Sequence, residues 1–125
     1  MSMLGVISEE LNRIGIPYSF MRWNGVVEYP YWIGEYTENP TDTEEGCKEY
    51  TMILTGTTKA DSWMPLETQK SKIESHFPSV CGLRIHTDDG SVAIFYESAY
   101  PIDTGDAELK RIQVNLLVKH WKGSI

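Results

Sequence analysis

The sequence predicts an α+β fold: a single antiparallel or mixed sheet of about five strands in the order α-β-β-α-β-β-β, with both helices packed on one face. Three observations lead there. Apolar residues recur at helical spacing in two separated segments, strand-like alternation fills the C-terminal part, and turn residues punctuate the rest. A chain of 125 residues suits one domain, 1–125, large enough to bury a core without staples.

The first helix is read from Met3, Leu4, Ile7, Leu11 and Ile14, which share one stripe opposite Glu9, Glu10 and Arg13; Gly15 and Pro17 stop it. The run VVEYPYWIGEY, Val26 to Tyr36, is rich in aromatic and β-branched residues, and its Pro30 places it at an edge or a bulge. Glu35 to Gly46 has no apolar periodicity and concentrates Glu35, Glu38, Asp42, Glu44 and Glu45 around Pro40, so it reads as a long acidic loop. A second strand follows in KEYTMILTGTT, with Tyr50, Met52 and Leu54 on one face and Thr51, Ile53 and Thr55 on the other. It pairs with the first strand across the acidic loop.

From Asp61 the period returns to helical, with Trp63, Leu66, Ile73 and Phe77 on a stripe that should pack on the sheet. Asp61 is the expected cap, Pro65 fits the first turn, and Pro78 closes the far end. GLRIHTDDGSVAIFYE reads as a hairpin turning at Asp89-Gly90. In KRIQVNLLVKHW, Ile112, Val114, Leu116 and Val118 alternate with polar Arg111, Gln113, Asn115 and Lys119, so one face of the last strand is core.

Composition narrows the function. Hydrophobic content of 41% and charge of 23% are those of an ordinary globular chain. A net charge of −7 without a basic run disfavours tight, direct binding of nucleic acid, because such affinity comes from Lys and Arg displacing counterions from phosphates. The N-terminal stretch carries adjacent Glu9 and Glu10 where a signal peptide needs an apolar run, and no apolar stretch suits a membrane span. Cys47 and Cys81 form no metal motif and are expected to be free thiols in a reduced cytoplasm.

Chemistry-bearing residues are sparse. Asp103-Thr104-Gly105 matches the tripeptide of aspartic proteases, but Asp106 follows it and too little chain remains for a second catalytic half, so it reads as a turn. His76, His86 and His120 are scattered over three elements and read as surface residues. Glu44 and Glu45 are neighbours in a loop with no fixed separation. No phosphate cradle, Ser-His-Asp order or zinc pattern is present, and the expectation is a non-enzyme without cofactor or metal. Aromatic residues are the exception: Trp23, Tyr29, Tyr31, Trp32 and Tyr36 crowd one strand and its approach. Aromatics are enriched at interfaces and an edge strand offers unpaired backbone groups, so Tyr29, Tyr31, Trp32 and Tyr36 are the expected subunit interface.

Taken together, YPYWIGEY, LTGTTKADSWMPLETQKSKIESHFP, IHTDDGSVAIFYE and YPIDTGDAELKRIQVNLLVKHW resemble small phage and prophage tail-completion proteins, the group related in fold to tail terminators. The resemblance covers nearly the whole chain and rests on apolar pattern, element order and landmarks such as Thr104-Gly105-Asp106 before the last strand. It implies a virion structural protein, made in the bacterial host cytoplasm, that forms a ring, commonly hexameric, capping the tail tube and facing the neck. Its partners would be copies of itself and other tail or neck proteins, and it would be monomeric when dilute. Glu35, Glu38, Asp42, Glu44 and Glu45 would then line the lumen, where repelled phosphates do not stick in transit. The alternative is a cytoplasmic binding module that captures a peptide on its aromatic edge by strand addition.

Overall fold

A computed structural model describes residues 2–23, 25–39, 47–88 and 90–122. Their elements run α1 (Met3–Arg13), β1 (Tyr18–Phe20), β2 (Tyr31–Asn39), β3 (Cys47–Lys59), α2 (Met64–His76), β4 (Leu83–Thr87), β5 (Gly90–Ile102) and β6 (Leu109–Lys122). The strands form one mixed sheet in the order β1-β2-β3-β6-β5-β4, curled into a half-barrel. The fold is therefore α+β with two helices, and its sheet has six strands among the described residues rather than about five. The additional strand is β1, whose three residues pair in parallel with β2 at Tyr18↔Trp32, Ser19↔Ile33 and Phe20↔Gly34. A strand that short carries no alternation to read.

Both helices lie on the face of the sheet that holds the core. Ile7 and Leu11 of α1 and Leu66 and Ile73 of α2 are fully buried in one cluster with Met52, Leu54, Val92, Ile94, Val114, Leu116 and Val118. Alternate residues of a strand share a face, so β3 and β6 each give one apolar row to that cluster. They also form the longest ladder, antiparallel from Cys47↔Trp121 to Lys59↔Leu109. The other face of β6 carries Arg111, Gln113, Asn115, Leu117 and Lys119, all partly exposed.

Local signals explain most boundaries. Ser2 caps α1 by accepting a hydrogen bond from the Gly5 amide at 3.1 Å, and Gly15, at φ 78°, turns the chain out of the helix. β4 and β5 pair as a hairpin from Thr87↔Gly90 to Leu83↔Ile94, while Asp89 of its turn lies outside the described residues. At α2 the expected cap is corrected. The N-cap position falls on Trp63, which makes no side-chain cap bond, because the helix begins later than its apolar stripe suggests and Pro65 occupies its first turn; Ser62 Oγ, just before it, accepts from the Met64 amide at 3.0 Å. Trp63 therefore precedes the helix and is 38% exposed instead of packing on the sheet.

β2 departs most from expectation. It begins after Pro30 and continues through Asn39, paired residue by residue with β3 from Tyr31↔Thr57 to Asn39↔Glu49. Glu35 and Glu38 thus belong to a strand and not to a loop, since an exposed strand tolerates acidic side chains and shows no apolar alternation there. Nor is β2 an edge along its whole length, because β1 covers its first part. Past Gly34 its outer side meets no further strand among the described residues. β5 likewise runs on to Ile102 after a bulge between Tyr96 and Ser98, whereas β4 covers it only as far as Leu83↔Ile94.

Candidate functional site

Trp32 does not belong to the interface expected of it. It is 0% exposed, on the core face of β2, opposite Gly56 of β3. A Cβ at Gly56 would lie 2.6 Å from Trp32 Cε2 and Cζ2, so the indole occupies the space that the missing side chain leaves. Its Nε1–H donates to Gln69 Oε1 of α2 at 2.6 Å, which satisfies the one polar atom buried with the ring. Tyr18 uses Gly34 in the same way, and burial pushes its phenol up to about 12.

The remaining aromatics do reach solvent, in two groups divided between the faces of the sheet. On the core side, beyond the cover of the helices, Tyr36 is 42% exposed, stacks on Phe20 with ring centres 6.0 Å apart, and meets Tyr50 edge-on at 5.5 Å. On the other side Tyr31 touches Trp23 and Tyr29 at 5.4 and 5.7 Å. Trp23 Nε1–H is satisfied by the Val26 carbonyl, and the Lys59 ammonium lies 6.0 Å from the Tyr29 ring centre. With exposed Met21, Val26 and Val27 these residues make segment 20–36 the main apolar surface along one flank. Tyr29, Tyr31 and Tyr36 are thus accessible, and Trp32 is not.

A second apolar surface lies toward the opposite flank and was not legible as a site. Trp63, Glu67 and Lys70 of the α2 segment face Ala99, Tyr100 and Pro101 of β5 across a groove of about 380 Å³ floored by Ile112. Exposed Met64 adjoins Trp63 in sequence. The Lys110 ammonium lies 5.8 Å from the Trp63 ring centre and donates to the Ala107 carbonyl, so this buried lysine ties the β5–β6 turn beneath the indole. The available signals were Trp63 standing just before a helix-opening proline and Pro101 standing inside a strand.

Asp103 sits in that turn. Its Oδ1 accepts the Gly105 amide at 2.9 Å while Gly105 takes φ 77°, and Thr104 Oγ1 donates to the Leu109 carbonyl at 2.6 Å. Those bonds make it a turn-closing carboxylate. The expected acidic lining divides: Glu35 and Glu38 differ by an odd number of residues along β2 and so point to opposite faces. Glu38 lies 3.9 Å from Lys48. Asp42, Glu44 and Glu45 lie outside the described residues.

Of the histidines, His120 is buried on the core face of β6 rather than at the surface. His76 meets the nearly buried Glu10 at 2.8 Å, joining the two helices, while Arg13 approaches the same carboxylate at 3.5 Å. No group of three or more His, Cys, Asp or Glu side chains among the described residues could hold a metal ion. No helix among them is long and apolar enough to cross a membrane. What the arrangement offers chemically is contact surface: two aromatic, partly apolar flanks on a small subunit. No protein-family model and no curated protein matches this sequence.

Proposed function

We propose that this chain is a non-enzymatic structural subunit of a phage or prophage tail, a tail-terminator or tail-completion protein that assembles as a ring at the head-proximal end of the tail tube. The observation that supports this reading is the pair of separate apolar surfaces, segment 20–36 on one flank and Trp63, Met64 and Tyr100 near the other. Closed rings are built by heterologous contacts, in which one patch meets a different patch on the next copy, and two distinct patches per subunit meet that requirement. Large exposed apolar patches mark interaction sites. The resemblance in sequence to tail-completion proteins supplies the setting. The acidic excess suits a conduit for DNA, with Glu35 the one of the expected lumen carboxylates that is described on the helix-free face of the sheet.

The test is association. Light scattering from micromolar to millimolar concentration, together with binding to assembled tail tubes, gives self-association, tube binding or both under this proposal. A chain that stays monomeric throughout and ignores tube ends is no tail terminator. The peptide-binding reading then takes its place, supported by the outer edge of β2 beyond Gly34, which no strand among the described residues covers.

A further inference from the structure

Stretches of β2 and β5 that no strand among the described residues covers are complementary, and we infer that they pair with each other between copies: Glu35–Asn39 of one subunit adds antiparallel to Ser98–Ile102 of the next, with Tyr36 and Glu38 entering the groove beneath Trp63. This rests on the ring reading above and specifies its interface.

The argument begins with strand direction. β2, β3, β6 and β5 are successive antiparallel neighbours, so β2 and β5 run in opposite senses on opposite flanks. A second copy set beside the first in the same orientation therefore presents β5 antiparallel to β2. The open stretches also sit at diagonal corners. β1 covers β2 where it lies level with the C-terminal part of β5, and β4 covers β5 where it lies level with the end of β2. Each corner left open on one copy is thus the step that receives the other.

Backbone orientation fits as well. The Trp32 amide donates outward to Pro17 and the Gly34 carbonyl accepts outward from Met21, so even-numbered residues of β2 direct their polar groups off the flank, and Tyr36 and Glu38 are next in that row. On β5 the Tyr96 amide points outward to the Phe77 carbonyl, and the bulge then shifts the row to Ala99 and Pro101. Proline at an outward position removes an N–H that β6 does not need. With Glu38 opposite Ala99 and Tyr36 opposite Pro101, Glu38 and Ala99 exchange N–H···O bonds both ways and Pro101 accepts from Tyr36. Every outward donor of the two stretches then has an acceptor.

Side chains agree with this register. Outward residues of both strands carry their side chains on the helix-bearing face, where the groove lies. α2 runs antiparallel to β5, with Trp63 near Ile102 and Phe77 near Tyr96. Tyr36 is therefore delivered beside Pro101 and Trp63, an aromatic contact, and Glu38 beside Ala99 and Lys70, where it would share the ammonium that Glu67 holds at 3.1 Å within the subunit.

Cysteine cross-linking tests the pairing. Opposed residues of an antiparallel pair stand about 5.5 Å apart at Cα, within disulfide reach. In a Cys81→Ser background, Glu38→Cys mixed with Ala99→Cys is expected to give disulfide-linked dimers on mild oxidation, and Glu38→Cys mixed with Tyr100→Cys few. Glu38→Lys should weaken self-association about fivefold, and adding Lys70→Glu should restore it. Hydrogen exchange on wild type checks the same contact without substitution: the Tyr36, Glu38 and Ala99 amides slow as concentration rises. Association without the Glu38–Ala99 cross-link or that protection overturns this interface and leaves the ring reading standing. A chain monomeric at every concentration that also fails to bind tail tubes overturns both.

Discussion

Gly56→Ala is the sharpest probe of how the core accommodates its indole. The added Cβ would stand 2.6 Å from Trp32 Cε2 and Cζ2 and 2.7 Å from Cδ2, and Trp32 is fully buried with its Nε1–H fixed on Gln69 at 2.6 Å. The ring can move only by disturbing α2 or the β2–β3 ladder. Overpacking of this kind costs about 1–3 kcal/mol. Against it stands a gain of about 0.4–1 kcal/mol from restricting the unfolded chain, since Gly56 has an ordinary strand conformation. The net expectation is a loss of about 1–2 kcal/mol, or roughly 4–8 °C in Tm. Trp32→Phe shortens the ring and removes the bond to Gln69, and is expected to cost about 2–3 kcal/mol alone. Because Phe vacates the space that the new methyl group needs, the double variant should be more stable than the sum of the two by about 1 kcal/mol. Urea unfolding followed by far-ultraviolet circular dichroism gives all four values. A neutral or stabilising Gly56→Ala, or strict additivity in the cycle, would refute the reasoning.

Other outcomes follow from single contacts. Val114→Asp or Leu116→Asp buries an unpaired charge in the core and should abolish soluble expression, whereas Gln113→Asp on the opposite face is mild, below about 1 kcal/mol; a solubility assay in which the ranking reverses would mean the faces are inverted. Asp103→Ala loses the Gly105 amide bond and about 1 kcal/mol, Asp103→Asn keeps an acceptor and loses less, and a peptidase activity in wild type that vanishes in Asp103→Asn would contradict the turn role. Tyr18 titrates near 12 when folded against 10.0 as a free phenol, so its contribution to stability is full below pH 10 and is lost as pH rises through about 12. Unfolding measured from pH 9 to 12 should therefore fall less steeply for Tyr18→Phe than for wild type, and equal slopes would count against a buried phenol.

Periodicity made some elements legible and concealed others. α1 and β6 were readable because each shows one face of a regular repeat, and the rows from Ile7 to Leu11 and from Ile112 to Val118 are the buried ones. β1 was hidden because three residues show no period. Glu35 to Asn39 looked like loop because strand pairing there depends on backbone bonds to β3, which leave no apolar trace. Trp32 was misassigned because its neighbours are aromatic, yet Gly34 and Gly56, glycines inside strands, were the sign that large side chains cross the sheet there. Legibility of the surface was less complete: three accessible tyrosines followed from sequence, but the Trp63 groove needed α2 and β5 brought side by side.

The central position of β6 has a consequence for synthesis. Because β6 lies between β3 and β5, the chain emerging from a ribosome first presents two incomplete sheets, β1-β2-β3 and β5-β4, whose apolar rows have no shared wall. Pairings as far apart in sequence as Cys47 with Trp121 form slowly, because a long loop must close before any contact rewards it. β6 is the strand that zips the halves together, and until it is in place both sides of an unfilled slot stay open to chaperones.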